Sequence, residues 1–99
     1  MKLNKEQKRY LRSLGHHKKT IIWVGQNGLT DNALEEIKTA LAHHEFIKLK
    51  IRAGDREMRD ELATSLCKKT SAELVQKTGN MIAIYRHNKK HPKIKLPDN

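Results

Sequence analysis

The sequence predicts an α/β (α+β) protein: a single αβαβαββ domain with a mixed four-stranded sheet packed with three helices. Its 99 residues have room for one compact domain. Three segments show the apolar spacing of amphipathic helices, and four short segments have the β-branched or alternating character of strands. Two strand–helix–strand units favour parallel pairing, and a tight turn joins the last two strands. We therefore expect parallel and antiparallel pairs within one sheet.

The first helix is predicted over residues 4–14, because Asn4 and Gln7 have the spacing of a capping box and Gly15 supplies a stop. Spacing of i, i+3, i+4 and i+7 places four bases in one stripe on this helix. The members of this basic stripe are Lys5, Lys8, Arg9 and Arg12.

The first strand is predicted over Thr20 to Val24, a continuous apolar and β-branched run. Such a run is typical of a strand that is covered on both faces and lies inside the sheet. We therefore expect Trp23 to pack in the core rather than to stack on a ligand.

The second helix is predicted over residues 31–43, with Thr30 as its N-cap. The next segment, Glu45 to Ile51, alternates like a half-buried strand and places Phe46, Lys48 and Lys50 on one face. One face of the sheet is therefore expected to be partly cationic. The pattern leaves two alternatives for Phe46, an exposed stacking platform or a core residue under the first helix.

The rest of the domain is predicted as a third helix capped by Asp55, followed by strands over residues 72–78 and 81–85. Gly79-Asn80 has the composition of a two-residue hairpin turn. These elements close a domain over residues 1–86. The remainder, residues 87–99, has two prolines and four lysines and is predicted to be a basic tail, mobile or laid on the surface.

The formal net charge of +10 is concentrated at the two ends of the chain. Residues 1–20 carry seven bases and one acid, and residues 87–99 carry four bases and one acid. The segment between them is nearly balanced, with ten bases and nine acids. This asymmetry favours a polyanionic partner, because charge that serves only solubility is more often scattered. A solvated helix face and a frayed tail remain the alternative.

A glycine-bordered turn, Gly25-Gln26-Asn27-Gly28, lies between the first strand and the second helix. Free backbone N–H groups and the positive end of a helix dipole meet there, so a phosphate group could dock. The turn matches neither of the two common mononucleotide and dinucleotide motifs, which leaves the G-x-x-G mode of RNA-backbone binding. A plain strand-to-helix connection is the alternative, because Asn-Gly is an ordinary turn dipeptide.

No catalytic or metal-binding constellation is predicted. The six histidines lack the spacing of a metal site, the carboxylates resemble solvated helix positions, and Cys67 is expected to be a core thiol. Neither a cofactor nor a small-molecule substrate is therefore expected. The chain also lacks a secretory h-region and an apolar run long enough for a membrane helix, so we expect a soluble cytoplasmic protein.

Several of these segments together resemble the bacterial YhbY family, the single-domain form of the CRM domain. The resemblance covers about Lys5 to Arg86 and is found in the segments Leu11-Arg12, His16 with Lys18-Lys19, Val24 to Thr30, Leu41, Glu45 to Lys50 and Tyr85-Arg86. It implies an RNA-binding αβαβαββ fold similar to the C-terminal domain of the third bacterial translation initiation factor, with a KH-like glycine loop. It also implies association with precursors of the large ribosomal subunit. The family often has Ala-His where this chain has Gly15-His16, and proline in place of Thr20.

The sequence therefore predicts a non-enzymatic, monomeric protein that binds ribosomal RNA. A module that docks acidic ribosomal or assembly proteins is the alternative, and a hydrolase is a third one that no motif supports. The predicted RNA contacts are the glycine loop (Gly25, Gln26, Asn27, Gly28), the basic stripe (Lys5, Lys8, Arg9, Arg12) and the further bases Lys18, Lys19, Lys48, Lys50 and Arg86.

Overall fold

Seven regular elements follow one another in the order that the sequence predicts. The computed structural model describes residues 2–25, 28–52 and 54–97, and it confirms three helices and a mixed four-stranded sheet. In this part of the chain, no helix is long and apolar enough to cross a membrane. The elements are α1 (Lys5–Gly15), β1 (Thr20–Val24), α2 (Asp31–His44), β2 (Phe46–Ile51), α3 (Arg56–Thr70), β3 (Glu73–Thr78) and β4 (Met81–Tyr85).

The sheet has the strand order β1-β2-β4-β3, with β1 parallel to β2 and both β2 and β3 antiparallel to β4. The prediction that β1 lies inside the sheet is therefore wrong, because β1 is an edge strand. Ile22 and Val24 are buried, but Trp23 between them is half-exposed. An apolar run also suits an edge strand whose outward side chain is a large amphipathic aromatic, so composition alone could not separate the two positions.

Each face of the sheet has its own core. Alternate strand residues such as Ile47, Leu49 and Ile82 point to the face covered by α2 and α3. The opposite face is covered by α1, and the core there contains Leu11 of α1 and Phe46 of β2. Phe46 is fully buried, so of its two predicted environments the core position is the observed one.

Local signals explain where the helices begin. Asn4 and Gln7 form the predicted capping box on α1, and the side chains of Thr30 and Asp55 accept the backbone N–H groups of Ala33 and Met58. Each helix begins at the residue after its cap, as predicted. The hairpin between β3 and β4 turns at Gly79, whose φ of +61° favours glycine.

Residues 88–97 of the predicted tail lie on the surface of the domain, whereas the division of the chain at residue 86 stays a prediction. Glu45, a fully buried residue, accepts backbone N–H groups from Asn88, Lys93 and Ile94 at 2.6–2.7 Å. Oε1 accepts the N–H groups of Lys93 and Ile94, and Oε2, which accepts that of Asn88, also lies 3.2 Å from His87 Nδ1. Burial alone would raise the pKa of Glu45, but these three N–H groups together with His87 lower it below its ordinary value.

Candidate nucleic-acid interface

The glycine-bordered turn forms a tight corner between β1 and α2. Gly25 follows β1 directly, and its carbonyl accepts the Gly28 N–H at 3.1 Å. Gly28 has a φ of +75°, a conformation that L side chains rarely adopt, and its carbonyl accepts the Thr30 N–H at 3.2 Å. Gln26 and Asn27, the other two predicted contacts of the loop, lie outside the described residues.

The described residues leave space beside Gly25. Gly25 is exposed, its φ lies outside the left-handed region, and a Cβ added to it would meet no described residue within 4 Å. A Cβ on Gly28 would reach only Leu62 of α3, at 3.8 Å. The two glycines therefore have different roles. The backbone angle at position 28 favours glycine, whereas the absence of a side chain at Gly25 leaves space among the described residues.

Three side chains beside the corner form a second feature. Trp23 precedes Gly25 by two residues and pairs in register with Lys50 of β2. Lys50 Nζ lies 5.1 Å and Arg52 Cζ 4.2 Å from the centroid of the indole ring, both within cation–π range. The backbone N–H of Arg52 donates to the Val24 carbonyl at 2.8 Å. Arg52 therefore lies directly beside the glycine corner.

Two of these three residues show where sequence reasoning falls short. Trp23 is 50% exposed, so its predicted place in the core is wrong. Arg52 was not among the predicted RNA contacts, because it follows β2 in a segment without a motif. Only the pairing of β2 with β1 brings it to the corner, and the alternation of β2, which predicted Lys50, stops one residue short of Arg52.

The basic stripe of α1 lies away from the glycine corner. A Cβ on Gly15 would touch the Phe46 ring at 3.5 Å, so the C-terminal end of α1 meets β2 at its first residue. At the other end of α1, the Leu3 N–H donates to Glu73 of β3. The helix thus crosses the same sheet face that carries Trp23. The corner lies beyond the opposite end of the five-residue strand β1, roughly 15 Å along the sheet.

The members of the stripe differ in exposure. Lys5 and Arg9 are exposed, whereas Lys8 and Arg12 are partly buried. Arg9 lies 3.9 Å from Glu6 across two strongly exposed side chains, a contact that contributes little to stability.

The remaining predicted bases also lie at the Phe46 end of the sheet. Lys18 and Lys19 immediately precede β1, and Arg86 follows β4, where its N–H donates to the Glu45 carbonyl. Lys48 is engaged within the protein, since its Nζ donates to the carbonyls of Gly15 and Lys18 at 2.9 and 3.2 Å. A cation is favourable there because the carbonyl end of α1 is electronegative. The structure therefore groups Lys50 with the glycine corner and leaves the other bases at a distance from it.

The other chemical groups do not assemble a reactive centre in the described parts of the chain. No three His, Cys, Asp or Glu side chains there are placed to hold a metal ion. Cys67 is partly buried, and burial together with Glu73 raises the pKa of its thiol to about 11. At neutral pH this thiol is protonated and is therefore a poor nucleophile.

Comparison with known proteins gives one consistent result. Residues 3–86 match the model of the CRS1/YhbY (CRM) domain. The chain is 42% identical over 90 residues to "Probable RNA-binding protein PA4753" of Pseudomonas aeruginosa, with 91% of this chain and 86% of that protein covered. It is 39% identical over 95 residues to an "RNA-binding protein" of Haemophilus influenzae, covering 96% and 95% of the two chains.

The fold is also found in a solved structure. The solution structure of SAV1595 from Staphylococcus aureus superimposes with a TM-score of 0.83 at 40% sequence identity. The match covers 97% of this chain and all of the other. The family model, the sequence relatives and the solved structure therefore all match nearly the whole chain.

Proposed function

Since the chain belongs to the CRS1/YhbY (CRM) domain family, we propose that it is a non-enzymatic protein that binds RNA through its glycine corner and its basic surface. Its RNA is ribosomal RNA in precursors of the large ribosomal subunit, to which it binds as a monomer in the cytoplasm. The names of the relatives support the RNA ligand, and the resemblance of the sequence to bacterial YhbY proteins supports the ribosomal one.

One observation carries the proposal, the open glycine corner beside two cations. A sugar–phosphate backbone can approach the main chain closely at Gly25, which has no side chain and leaves space among the described residues. The start of α2 follows at once, and its free N–H groups and dipole favour a negative phosphate. Lys50 on the adjoining strand β2 and Arg52, which directly follows that strand, add positive charge.

The distant bases have a different role in this proposal. The stripe of α1 and the pair Lys18 and Lys19 lie too far from the corner to contact the same phosphate, but an RNA that follows the sheet face reaches both regions. Their charge also attracts RNA over a longer range. If about five phosphates are neutralised, raising the salt concentration from 50 to 200 mM weakens binding by on the order of 100-fold. An affinity that does not change with salt would contradict the electrostatic part of the proposal.

The corner is tested with Gly25→Asp. The site has free space and an ordinary backbone angle, so the variant is expected to fold, while its carboxylate repels phosphate. Thr39→Asp is the matched control, because Thr39 is exposed on α2 and removed from the corner. We expect Gly25→Asp to weaken the binding of a single-stranded RNA at least 10-fold and the control to change it less than twofold. Equal losses in the two variants would show that the corner is only a connector.

The ribosomal ligand requires a separate experiment in cells. The tagged protein is expected to sediment with large-subunit precursors in a sucrose gradient and to return to the top of the gradient after nuclease treatment. If it stays with ribosomal or assembly proteins after RNA has been removed, the alternative of a protein-docking module is correct instead.

A further inference from the structure

Trp23 is the only tryptophan of the chain and is half-exposed on an edge strand. Its neighbours Ile22 and Val24 point to the core on the opposite face of the sheet. Trp23 thus lies on the face of the sheet that α1 covers. It is near one end of this face, and the contact of Gly15 with Phe46 is near the other end. A large aromatic side chain in this position leaves much apolar surface in water, which folding alone does not favour.

The indole ring is positioned by cations rather than by the core. Arg52 Cζ and Lys50 Nζ lie 4.2 and 5.1 Å from its centroid. Lys50 lies on β2 and is the register partner of Trp23, and Arg52 directly follows β2 and donates its N–H to the Val24 carbonyl, so the backbone pairing with β1 sets this arrangement. The half-exposed ring therefore has a defined place, with the two cations packed over it.

A half-exposed ring with two cations packed over it is chemically suited to a nucleotide, whose base would stack on the part of the indole that remains exposed. Aromatic side chains stack on the faces of unpaired bases, and neighbouring lysine and arginine side chains neutralise the flanking phosphates. A purely apolar partner would leave both cations without a counter-charge, whereas a nucleotide satisfies the ring and the cations together. The glycine corner begins two residues beyond Trp23, so one strand of RNA can contact both.

We propose that Trp23, with Lys50 and Arg52, forms a stacking site for one unpaired base of the RNA whose backbone passes the glycine corner. This inference rests on the proposed RNA-binding function and adds a preference to it. Bases of a duplex are already stacked on their neighbours and do not offer a free face. The site therefore selects single-stranded or bulged RNA over a continuous helix.

The single tryptophan makes the site directly observable, because all indole fluorescence of the protein comes from Trp23. The probe is a mixed-sequence single-stranded RNA of about 12 nucleotides, compared with the blunt duplex of the same sequence. We expect the single strand to quench the fluorescence saturably. We expect the duplex, at a concentration that gives the same occupancy by filter retention, to quench it much less.

Variants test the contribution of the ring to affinity. Trp23→Ala is expected to weaken single-strand binding by roughly 5- to 100-fold, the range found for one stacked base, whereas Trp23→Phe retains most of the affinity. Leu74→Ala is the matched control, because Leu74 is an exposed apolar residue on β3, the other edge strand of the sheet. It is expected to leave binding unchanged.

The results also separate this inference from the proposed function. If Gly25→Asp loses RNA but Trp23→Ala binds as the parent does and Trp23 fluorescence stays constant at saturation, the corner binds RNA and the stacking site is refuted. If the parent protein binds no RNA at all, the proposed RNA-binding function is refuted, and the stacking site is refuted with it. If Trp23 fluorescence changes with protein concentration in the absence of RNA and Trp23→Ala abolishes self-association, a second copy of the chain packs against the ring. The inference is then wrong.

Discussion

Replacing Glu45 with glutamine is expected to release the C-terminal segment from the surface and to destabilise the domain. The carboxylate of Glu45 is fully buried and accepts three backbone N–H groups, from Asn88, Lys93 and Ile94. A glutamine side chain has nearly the same size but carries no charge, and its amide NH₂ group would face N–H donors. The substitution therefore keeps one acceptor oxygen, turns the other into a donor and removes the charge, while the volume is preserved.

The magnitude follows from these contacts. The glutamine oxygen can still accept the N–H groups of Lys93 and Ile94, but each bond loses about 1 kcal/mol with the charge, and a buried, unpaired Asn88 N–H costs about 1–3 kcal/mol more. The segment can instead leave the surface, bond to water and regain about 1 kcal/mol of entropy per residue. It then exposes Ile94 and Leu96, which are half-buried against the core under α1. We expect a net loss of about 2–3 kcal/mol in the free energy of unfolding.

The same carboxylate makes this contribution depend on pH. The pKa of Glu45 is lower in the folded protein than its ordinary value of 4.5, so the unfolded chain binds the proton more readily. The stabilisation is therefore complete above about pH 4.5 and is lost as the pH falls through the lower, folded-state pKa. Glu45→Gln is expected to flatten this acid limb of the stability profile.

Urea denaturation and amide hydrogen exchange measure the two effects. Glu36→Gln serves as the control, because Glu36 is exposed on α2 and its substitution is expected to change the stability by less than about 0.5 kcal/mol. In Glu45→Gln the amides of residues 88, 93 and 94 should exchange much faster than in the parent. If these amides keep their protection and the unfolding free energy is unchanged, Glu45 does not hold the segment and the reasoning is refuted.

Three further predictions concern other features of the fold. Gly28→Ala is expected to lower the stability in urea by about 1–2 kcal/mol because of its φ of +75°, whereas Gly25→Ala changes it by less than about 0.5 kcal/mol; similar values for the two would contradict the assigned geometry. Lys48→Met is expected to lower it by about 1 kcal/mol by removing the bonds to the end of α1, and an unchanged melting curve would refute this role. Cys67, with a thiol pKa of about 11, should react with a thiol reagent at pH 8 roughly 10-fold more slowly than an equally accessible thiol of pKa 9.0, because its thiolate is about 100-fold scarcer but more nucleophilic, and rapid labelling of the native protein would contradict its burial.

Short-range signals made most of the fold predictable. The caps at Asn4, Thr30 and Asp55 act within four residues of the chain, and they place the start of each helix correctly. The hairpin turn at Gly79 is equally local, because the required backbone angle depends on one residue. The alternation of β2 predicted its buried side chains, since the period of a strand is independent of what covers it.

The features that the sequence did not reveal depend on partners far along the chain. Trp23 is exposed because β1 is an edge strand, and strand order is a property of the whole sheet. Arg52 reaches the indole ring only through the pairing of β2 with β1. Glu45 is held by a segment more than 40 residues away along the chain. In the sequence it looks like any other glutamate near the end of a helix. A single sequence holds no signal for such pairings, whereas the caps are complete within one turn.

Positive charge in this protein is divided between positioned and unpositioned groups, and this division decides what each base can recognise. Lys48 is held by two carbonyls, and Lys50 and Arg52 are aligned against an aromatic ring, so these three have defined places. Exposed bases such as Lys5 and Lys19 have no such partner among the contacts described above and act mainly through the field they share. A field attracts any polyanion, including a duplex, and is weakened by salt. In the proposed complex, discrimination between RNA structures therefore comes from the positioned group at Trp23 and from the glycine corner, which contact an unpaired base and its backbone.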